Sequence, residues 1–428
     1  MAEYLKKAQP GTRTDMNAVR DTVAGILEDV RGRGIDAVRE YSEKFDRWNP
    51  PSFEVGTDEI EQAKASIAPE VIDSLDFAHR QIGEFARLQR ESLSEFEVET
   101  RPGVFLGQKL IPVADAGAYV PGGKYPMLMS AQMSILTAKV AGVHRVVGCA
   151  PPYEGKGVYP EMLWSMALAG ADEIWCIGGV QALALMAYGA EDYAPVVFIA
   201  GPGNMYVAEA KRQLFGTVGI DLLAGPTEIL IIADDDADPW IVAADLLGQA
   251  EHGPTSPAVL VSLSRRMAEA VVAEVERQLA ELGTREVAGI SWRDRGEVVL
   301  ARDREEAASL ADEYAPEHLE VQTNDAEWYH GRLRNYGTLC LGEEATIAFS
   351  DKAIGTNHTL PTGRAARYTG GLWVGKFLKT VTYQRCTRAG AVEIAAHAGL
   401  LSDAEHFEGH AKTAYFRIQK YADRAAQD

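Results

Sequence analysis

Apolar residues recur every three or four positions through the first part of the chain and later give way to short β-branched runs. The helical spacing is clearest over 16–32 and 69–93, where Arg, Glu and Asp fill the intervening positions. From about residue 111 the apolar runs shorten, and each lies near a glycine-rich turn. The runs of this kind are 145–149, 173–177, 195–199, 228–233, 257–262 and 296–300. Because strands alternate with helical patterns, we predict a helical opening followed by an α/β protein with parallel sheet.

A charged helical pattern occupies 265–281, and a polar helical pattern occupies the tail from 403 to 428. The chain has 428 residues, of which 46% are hydrophobic, so it has enough apolar material for two or three domains. No apolar run reaches about 18 residues, and the first residues lack the apolar core of a secretion signal. These features predict a cytoplasmic protein without a membrane span.

Composition narrows the chemistry further. The four cysteines, Cys149, Cys176, Cys340 and Cys386, are widely scattered, which favours reduced thiols over a disulfide framework or a zinc knuckle. Asp and Glu number 62 against 42 Lys and Arg, and the resulting net charge of −20 opposes general binding to nucleic acid or to an anionic membrane. An anionic substrate would need a local basic pocket.

Gln249 and His252 lie three residues apart at the end of a predicted helix. Asp238 is a suitable N-cap with Pro239 at the first helical position, and Gly253 with the following proline ends the run. Side chains three apart on a helix point the same way, and an imidazole beside a side-chain carbonyl offers half of a metal site. The alternative is a polar helix end at which His252 bonds a loop.

Glu317 and His318 follow Pro316, a position that we interpret as the first turn of a helix. The positive end of such a helix would keep His318 neutral, as a general base requires, and would favour the Glu317 anion. The alternative is helix capping by solvated side chains.

The segment from Ser350 to His358 is interpreted as a polar loop. Asp351 would complete a metal shell, although an Asx-type turn explains a lone Asp before glycine equally well. His358 fits a hydrogen-bonded loop histidine. Farther on, Glu405 and His410 lie five residues apart, which is typical of a solvated face.

Three glycine-bearing turns, 119–123, 178–181 and 201–204, follow strand-like runs in the α/β region. Ligands of parallel sheets bind at such turns. None of the three matches the Gly-x-Gly-x-x-Gly dinucleotide fingerprint, so the spacing alone supports nucleotide binding only weakly, and ordinary tight turns explain the glycines.

Taken together, six ordered motifs resemble the histidinol dehydrogenase family over nearly the whole chain. They are Tyr119-Val-Pro-Gly-Gly, Gly201-Pro-Gly-Asn, Ala224-Gly-Pro-Thr-Glu, Gln249-Ala-Glu-His-Gly, Ala315-Pro-Glu-His-Leu and Gly355-Thr-Asn-His-Thr-Leu-Pro. The resemblance implies two incomplete Rossmann-like parallel-sheet domains, a helical N-terminal segment and an extended helical C-terminal tail. The implied division is 1–20 for the N-terminal segment, 21–115 with 225–365 for the zinc and catalytic domain, 116–224 for the NAD-binding domain, and 366–428 for the dimerisation tail.

The resemblance also implies roles for individual residues. The zinc ligands fall on Gln249, His252, Asp351 and His410. The catalytic pair falls on Glu317 and His318. The NAD contacts fall on Tyr119, Gln181 and Asn204, while the substrate contacts fall on Thr227, Gln249, His252, His318, Asp351, Glu405 and His410. In that family the tail of one subunit completes the site of the other, so a homodimer is expected.

The implied reaction is a four-electron oxidation of a primary alcohol. Zinc holds the alcohol, His318 removes its proton and NAD takes a hydride. Glu317 then activates water, and a second NAD completes the oxidation to a carboxylate.

The chain departs from the common family pattern over 124–133 and 362–376, and both stretches are similar to the sulfopropanediol dehydrogenase branch. That similarity predicts 2,3-dihydroxypropane-1-sulfonate as substrate and 3-sulfolactate as product, with L-histidinol as the alternative. Arg364, Arg367 and Lys376 add positive charge, which indicates either an anionic substrate or a solvated surface. A different class of function, a catalytically silent relative that binds a metabolite, is disfavoured by the intact Glu317 and His318 pair.

Overall fold

The computed structural model describes residues 3–9, 16–122 and 125–422. The helices are α1 (Met16–Arg33), α2 (Ile35–Asp46), α3 (Thr57–Ser66), α4 (Pro69–Glu91), α5 (Leu128–Ala131), α6 (Thr137–Ala141), α7 (Pro160–Leu168), α8 (Gly179–Tyr188), α9 (Met205–Leu214), α10 (Pro239–Ala250), α11 (Arg265–Glu281), α12 (Arg285–Arg295), α13 (Arg304–Tyr314), α14 (Ala326–Arg332), α15 (Ile347–Lys352), α16 (Arg388–Ala404) and α17 (Glu408–Tyr421). A π-helical turn, Gln132–Leu136, joins α5 to α6, and two 3-10 turns cover Ala365–Arg367 and Val374–Phe377.

The strands are β1 (Glu3–Lys6), β2 (Phe96–Arg101), β3 (Val104–Pro112), β4 (Asp115–Tyr119), β5 (Arg145–Ala150), β6 (Glu173–Cys176), β7 (Phe198–Ala200), β8 (Gly219–Ile220), β9 (Ile229–Ala233), β10 (Ala258–Ser262), β11 (Glu297–Leu300), β12 (His318–Gln322), β13 (Thr338–Leu341) and β14 (Leu378–Cys386). The chain divides into two compact units. The first comprises Met1–Gln89 and Val113–Phe377, and the second comprises Arg90–Pro112 and Leu378–Asp428.

The first unit contains a five-stranded sheet in the order β6-β5-β4-β7-β8, in which all the pairings are parallel. Its strands are apolar because they are buried on both faces. Side chains of α1 and α2, such as Val23 and Val38, share a continuous core with Trp175 on β6 and Leu183 on α8. These two helices therefore pack with the five-stranded sheet.

The first unit also contains a six-stranded sheet in the order β1-β11-β10-β9-β12-β13. The five strands from β9 to β13 are parallel, and β1 runs antiparallel to β11. One core cluster lies on each side of the sheet, with Ile231 in one cluster and Leu230 in the other. Counted along the chain, the parallel strands of both sheets follow the order third, second, first, fourth, fifth.

The second unit is a three-stranded antiparallel sheet in the order β14-β3-β2, together with α16 and α17. The two helices pack on each other, with Tyr415 of α17 against Gly399 of α16. Several large apolar side chains of these helices stay exposed, among them Leu400, Leu401 and Phe416.

The prediction of an α/β fold with parallel sheets is confirmed. The helices over 16–32 and 69–93 are present, and all four cysteines are free thiols. One assignment was wrong, since Glu317 and His318 do not open a helix: α13 ends before Ala315 in a left-handed conformation, and His318 begins β12. Pairing with β9 and β13 on either side holds this segment in the extended form, and every residue of β12 is buried.

The predicted domain boundaries stay a prediction, and residues 1–2, 10–15, 123–124 and 423–428 within them lie outside the described residues. Among the described helices, none is both long and apolar enough to cross a membrane.

Candidate active site

The central feature of the six-stranded sheet is a polar cluster at the amino ends of its middle strands. Glu228 directly precedes β9, and His318 begins β12, where it pairs in register with Ile229. The helix α10 follows β9 and runs back along the sheet, so its C-terminal end, with Gln249 and His252, returns to this same edge. Strand order and one returning helix therefore bring together residues that lie far apart in sequence.

Glu317 is held by two hydrogen bonds from the segment before β9. Its Oε2 accepts from the Thr227 hydroxyl at 2.5 Å and from the Glu228 backbone N–H at 3.0 Å. Burial raises the pKa of Glu317 well above its ordinary value, and the two donors act in the opposite direction. The structure thus places a desolvated carboxyl, rather than a solvated helix cap, next to His318.

The protonation pattern of His318 follows from its hydrogen bond. Nδ1 lies 3.0 Å from the Glu228 backbone oxygen. A carbonyl oxygen only accepts, so Nδ1 carries the proton and Nε2 is an unprotonated acceptor. Nε2 is buried, has no hydrogen-bond partner and lies 3.9 Å from Asp351 Oδ1. Burial lowers the pKa of His318 to about 4, which keeps the ring neutral at neutral pH.

Three of the predicted metal ligands converge beside this nitrogen. His252 Nε2 lies 3.9 Å from Asp351 Oδ2. Gln249 donates from Nε2 to the Thr227 hydroxyl at 2.6 Å, which leaves the amide oxygen Oε1 free to act as a ligand. Gln249, His252 and Asp351 all line one cavity of about 400 Å³. Imidazole nitrogen and carboxylate and amide oxygens are donors that fit a zinc ion.

The elements that carry these ligands differ in part from the sequence interpretation. Asp238 and Pro239 begin α10 as predicted, with Asp238 Oδ1 accepting from the Trp240 N–H. The helix ends at Ala250, so His252 lies in the turn beyond it. Asp351 lies on α15 rather than in a polar loop, because Thr346 caps a short helix there.

The fourth predicted ligand, His410, and the predicted substrate contact, Glu405, belong to the second unit. Glu405 follows the last residue of α16, and His410 lies in the first turn of α17. Within the described residues of one chain, no cluster of three or more His, Cys, Asp or Glu side chains is arranged to hold a metal. The shared cavity nevertheless brings three of the four predicted zinc ligands together in the first unit, and one of these three, Gln249, is an amide.

His358 holds the backbone of Asp351 in place through a hydrogen bond. Its Nδ1 lies 3.1 Å from the Asp351 backbone oxygen, and its Nε2 lies 2.8 Å from the Ser130 hydroxyl. Both ring nitrogens are thus bonded, as the sequence interpretation of a satisfied histidine proposed. The contact fixes the end of α15 that carries Asp351.

A carboxyl pair that the sequence analysis missed, the buried Glu320 and the half-buried Asp245, fixes the other end of α15. Glu320 Oε1 accepts from the Ile347 N–H at 2.9 Å, and Asp245 Oδ1 accepts from the Thr346 hydroxyl at 2.9 Å. Gln322 Nε2 donates to both carboxyl groups. Burial and the neighbouring Asp245 raise the pKa of Glu320 to about 8. The alternation of His318, Glu320 and Gln322 along β12 was the signal that would have located this polar face.

The residues predicted to contact NAD lie on the five-stranded sheet. Tyr119 ends β4, and Asn204 caps α9 just after β7, which neighbours β4. The Tyr119 hydroxyl accepts from the Gly179 N–H at 3.2 Å, two residues before Gln181. Gln181 is buried, and its Oε1 has no hydrogen-bond partner. An acceptor without a partner at this edge fits a ligand that supplies a donor.

A buried ion pair holds the turn between β7 and α9. Asp221 accepts from the Gly201 N–H at 2.9 Å, and Lys211 donates to the Gly201 oxygen at 2.9 Å. Lys211 and Asp221 also bond each other with almost no exposure to solvent. Gly201 has a φ of 117°, and an added Cβ would lie 2.1 Å from the Tyr119 oxygen, so only glycine fits. The pair therefore fixes the turn that presents Asn204.

Of the three cations singled out in the sequence, Arg364 lines a cavity next to the catalytic residues. That cavity, of about 420 Å³, also includes Glu228 and Pro316. Arg367 bonds the Arg364 backbone oxygen, and Lys376 bonds the Thr369 hydroxyl. A cation that the sequence analysis did not select, Lys352, lines the same cavity as Gln249, His252 and Asp351.

Comparisons with known proteins agree with this architecture. The sequence profile of the histidinol dehydrogenase family matches residues 10–418. A histidinol dehydrogenase homolog of Shouchella clausii is 52% identical over 98% of this chain and 100% of that protein. A sulfopropanediol 3-dehydrogenase of Ruegeria pomeroyi is 47% identical over 98% of this chain and 97% of that protein. The crystal structure of histidinol dehydrogenase from Elizabethkingia anophelis superposes with a TM-score of 0.91 at 32% identity, covering 96% of this chain and 94% of that one.

Proposed function

The chain belongs to the histidinol dehydrogenase family, and we propose that it oxidises a primary alcohol to a carboxylate with zinc and NAD, acting on 2,3-dihydroxypropane-1-sulfonate to give 3-sulfolactate. The observation that carries the proposal is the unpaired Nε2 of His318, which is buried and 3.9 Å from Asp351. A neutral imidazole with its basic nitrogen aimed at a group of metal ligands is the arrangement that alcohol oxidation needs.

His318 removes the hydroxyl proton of the substrate at Nε2. Its Nδ1–H bond to the Glu228 backbone keeps Nε2 unprotonated and fixes the ring plane. When bound, zinc supplies a Lewis acid for the alcohol oxygen and NAD supplies the hydride acceptor. Gln249, His252 and Asp351 would hold the zinc together with His410.

Glu317 acts in the second half of the reaction, where the aldehyde must gain water before it loses a second hydride. Its Oε2 is occupied by Thr227 and the Glu228 N–H. The other carboxyl oxygen, Oε1, is the group that takes a proton from water. Because burial raises the pKa of Glu317, its carboxylate is a stronger base than a solvated one. Both oxidations then occur at one site, so the reactive aldehyde need not be released between them.

The NAD site is proposed at the carboxyl edge of the five-stranded sheet. Open parallel sheets bind ligands where the strand order reverses, and here that point lies between β4 and β7. Tyr119 and Asn204 follow these two strands, and Gln181 supplies the unpaired acceptor. The third, second, first, fourth, fifth order of both sheets supports two incomplete Rossmann-like domains.

A homodimer is proposed to complete each site, with His410 and Glu405 supplied by a second copy of the chain. The helices that carry them expose large apolar side chains, including Leu400, Leu401 and Phe416. Exposed apolar surface of this kind is typical of an interface between subunits. The second copy would thus cover the tail and bring the fourth zinc ligand.

The sulfonate is favoured by a cation in the zinc cavity. Lys352 lines that cavity in a chain whose net charge is −20. A lysine there offsets the negative charge around Asp351 and attracts an anionic substrate. The 47% identity to the Ruegeria pomeroyi sulfopropanediol 3-dehydrogenase supports the same substrate. L-Histidinol is the second candidate, and the fold match to the Elizabethkingia anophelis enzyme favours it.

The test is to supply purified protein with zinc and NAD and to measure NADH formation from each alcohol. We expect NADH from the sulfonate, two molecules per substrate consumed, and a higher KM for the sulfonate in Lys352→Met. Lys379→Met is the control, since Lys379 is an exposed lysine of the second unit. Rapid NADH formation from histidinol and none from the sulfonate would reverse the choice of substrate. Wild-type kinetics in Lys352→Met would remove the argument from that lysine.

A further inference from the structure

Asp46 is a carboxyl group in an unfavourable place. It is the last residue of α2, where the helix dipole disfavours negative charge. It is also half-buried, and burial raises its pKa. The end of α2 would be more stable with a neutral or basic residue at this position. The stability of α2 therefore does not explain why the residue is an aspartate.

The contact between Asp46 and Gln181 gives that reason. Gln181 Nε2 donates to Asp46 Oδ2 at 3.2 Å. A carboxylate only accepts, so it determines which end of the Gln181 amide faces it and turns Oε1 the other way. That oxygen is the buried acceptor without a partner. Asp46 and Gln181 therefore place two kinds of oxygen acceptor side by side, and a ligand with hydroxyl donors fits this pair.

The pair lies at the carboxyl edge of the five-stranded sheet. Gln181 is in the first turn of α8, just after β6, and the loop before it packs tightly, since a Cβ on Gly178 would lie 2.6 Å from Pro151. The same carboxyl group contributes to raising the pKa of Tyr119, the residue that ends β4. Asp46 thus belongs to the edge at which the cofactor is proposed to bind.

We infer that Asp46, with Gln181 oriented by it, accepts hydrogen bonds from the ribose hydroxyls of the cofactor and makes the protein select NAD over NADP. The inference rests on the proposed NAD site. Ribose hydroxyls are donors that match the two acceptor oxygens of Asp46 and Gln181. NADP replaces the 2′-hydroxyl with a phosphate, which has no donor for Asp46 and brings a like charge beside a partly desolvated carboxylate.

The experiment is calorimetric titration of the protein with NADH and with NADPH, which measures binding without turnover. In the wild type we expect NADPH to bind at least about tenfold more weakly than NADH, the size of effect of one hydrogen bond to a charged group. In Asp46→Asn, whose side-chain oxygen still accepts from Gln181, we expect weaker NADH binding and a loss of most of that ratio. Asp36→Asn is the matched control, because Asp36 is an exposed Asp on the same helix.

The two proposals fail in different ways. If the wild type binds neither dinucleotide, the NAD site itself is wrong and the inference falls with it. If the wild type binds NADH but Asp46→Asn keeps the wild-type ratio of affinities, the inference alone is overturned. Circular dichroism shows whether Asp46→Asn folds, and Gln181→Leu is the second variant: it should weaken NADH binding while NADPH stays disfavoured, because Asp46 keeps its charge. Unchanged NADH binding in Gln181→Leu would also count against the acceptor pair.

Discussion

The two parallel sheets of the first unit have the same strand order but place their polar residues at opposite edges. In the five-stranded sheet, Tyr119 and Asn204 follow strands, at the carboxyl edge where ligands of open sheets usually bind. In the six-stranded sheet, Glu228 and His318 stand at the amino ends of β9 and β12. Topology therefore determines which loops meet, whereas the sequence of particular strands and helix ends determines which edge carries the chemistry.

The polarity of the buried strand residues explains why the two sheets place their polar residues at opposite edges. The buried residues of strands β4 to β7 are almost wholly apolar, and the candidate ligand-binding residues of this sheet come from a strand end and from helix starts. Strand β12 instead has one polar face, with His318, Glu320 and Gln322 all buried. That polar face continues from the catalytic residues to the carboxyl pair that holds α15, so one site is built into a strand and the other is built on loops.

The largest effect confined to one edge is expected from His318→Asn, which should lower turnover and leave NADH binding unchanged. Loss of a general base costs about 10² to 10⁴ in turnover, whereas NADH affinity should not change, because Gln181 and Asn204 belong to the other sheet. Stopped-flow turnover and NADH titration measure the two properties. His330→Asn is the control, since His330 is an exposed histidine of α14. Turnover near the wild-type value would show that the amino edge does not carry the proton transfer.

The opposite pattern is expected from Lys211→Met, which should impair the proposed NAD-binding edge and leave the proposed zinc site unchanged. This change leaves Asp221 buried without its cation, which costs about 3–5 kcal/mol of unfolding free energy. It also removes the hydrogen bond from Lys211 to the Gly201 oxygen, which helps to fix the turn that presents Asn204. NADH should therefore bind more weakly, while zinc content is unchanged. Denaturant unfolding and metal analysis measure these effects. Arg212→Met breaks a half-exposed pair on the same helix and should cost about 1 kcal/mol or less. Equal losses in the two variants would contradict the role of the buried pair.

A pH-dependent loss of stability is expected from the buried Glu320 and its half-buried neighbour Asp245. The pKa of Glu320 is raised from 4.5 to about 8, so the folded protein keeps a proton that the unfolded chain releases above pH 4.5. The free energy of unfolding should therefore decrease as the pH rises from about 4.5 to about 8, by at most about 1.4 kcal/mol per pH unit from this group. Glu320→Gln removes the titrating group and should flatten that dependence.

Urea unfolding at several pH values across this window measures the change. Glu327→Gln, an exposed residue of α14, is the control and should keep the wild-type slope. A Glu320→Gln protein that loses stability with pH as steeply as the wild type would show that Glu320 does not hold the proton. Asp245 would then be the group to test.

The sequence was sufficient where local rules decide structure. Asp238 and Pro239 begin α10 as helix-capping preferences require, and the apolar runs became parallel strands. It failed where tertiary burial overrides a local signal. Pro316 before an acidic residue is typical of a helix start, yet the register with β9 makes His318 the first residue of a strand. Similarly, Asp351 lies on a helix because Thr346 caps α15 and the buried Glu320 accepts a hydrogen bond from Ile347 N–H at its start.

Motif matching selected the catalytic and zinc-binding candidates but not the residues that hold them in place. Asp46, Asp245 and Lys211 carry no local signature, and the alternation of polar residues along β12 marks the face of Glu320 but not the residue that it binds. The contact between Lys211 and Gly201 and the contact between Glu320 and Ile347 appear only once the sheets are assembled. Long-range hydrogen bonds of this kind cannot be read from spacing.

The most direct test of the proposed zinc site at the amino edge of the six-stranded sheet is to locate the metal itself. Crystals grown with zinc and measured at the zinc absorption edge give an anomalous peak wherever the ion binds. The account predicts one peak per chain, about 2.0–2.2 Å from His252 Nε2 and from an Asp351 carboxylate oxygen, with His410 of a second copy beside it. A peak on other residues, or zinc-grown crystals with no peak between His252 and Asp351, would contradict it.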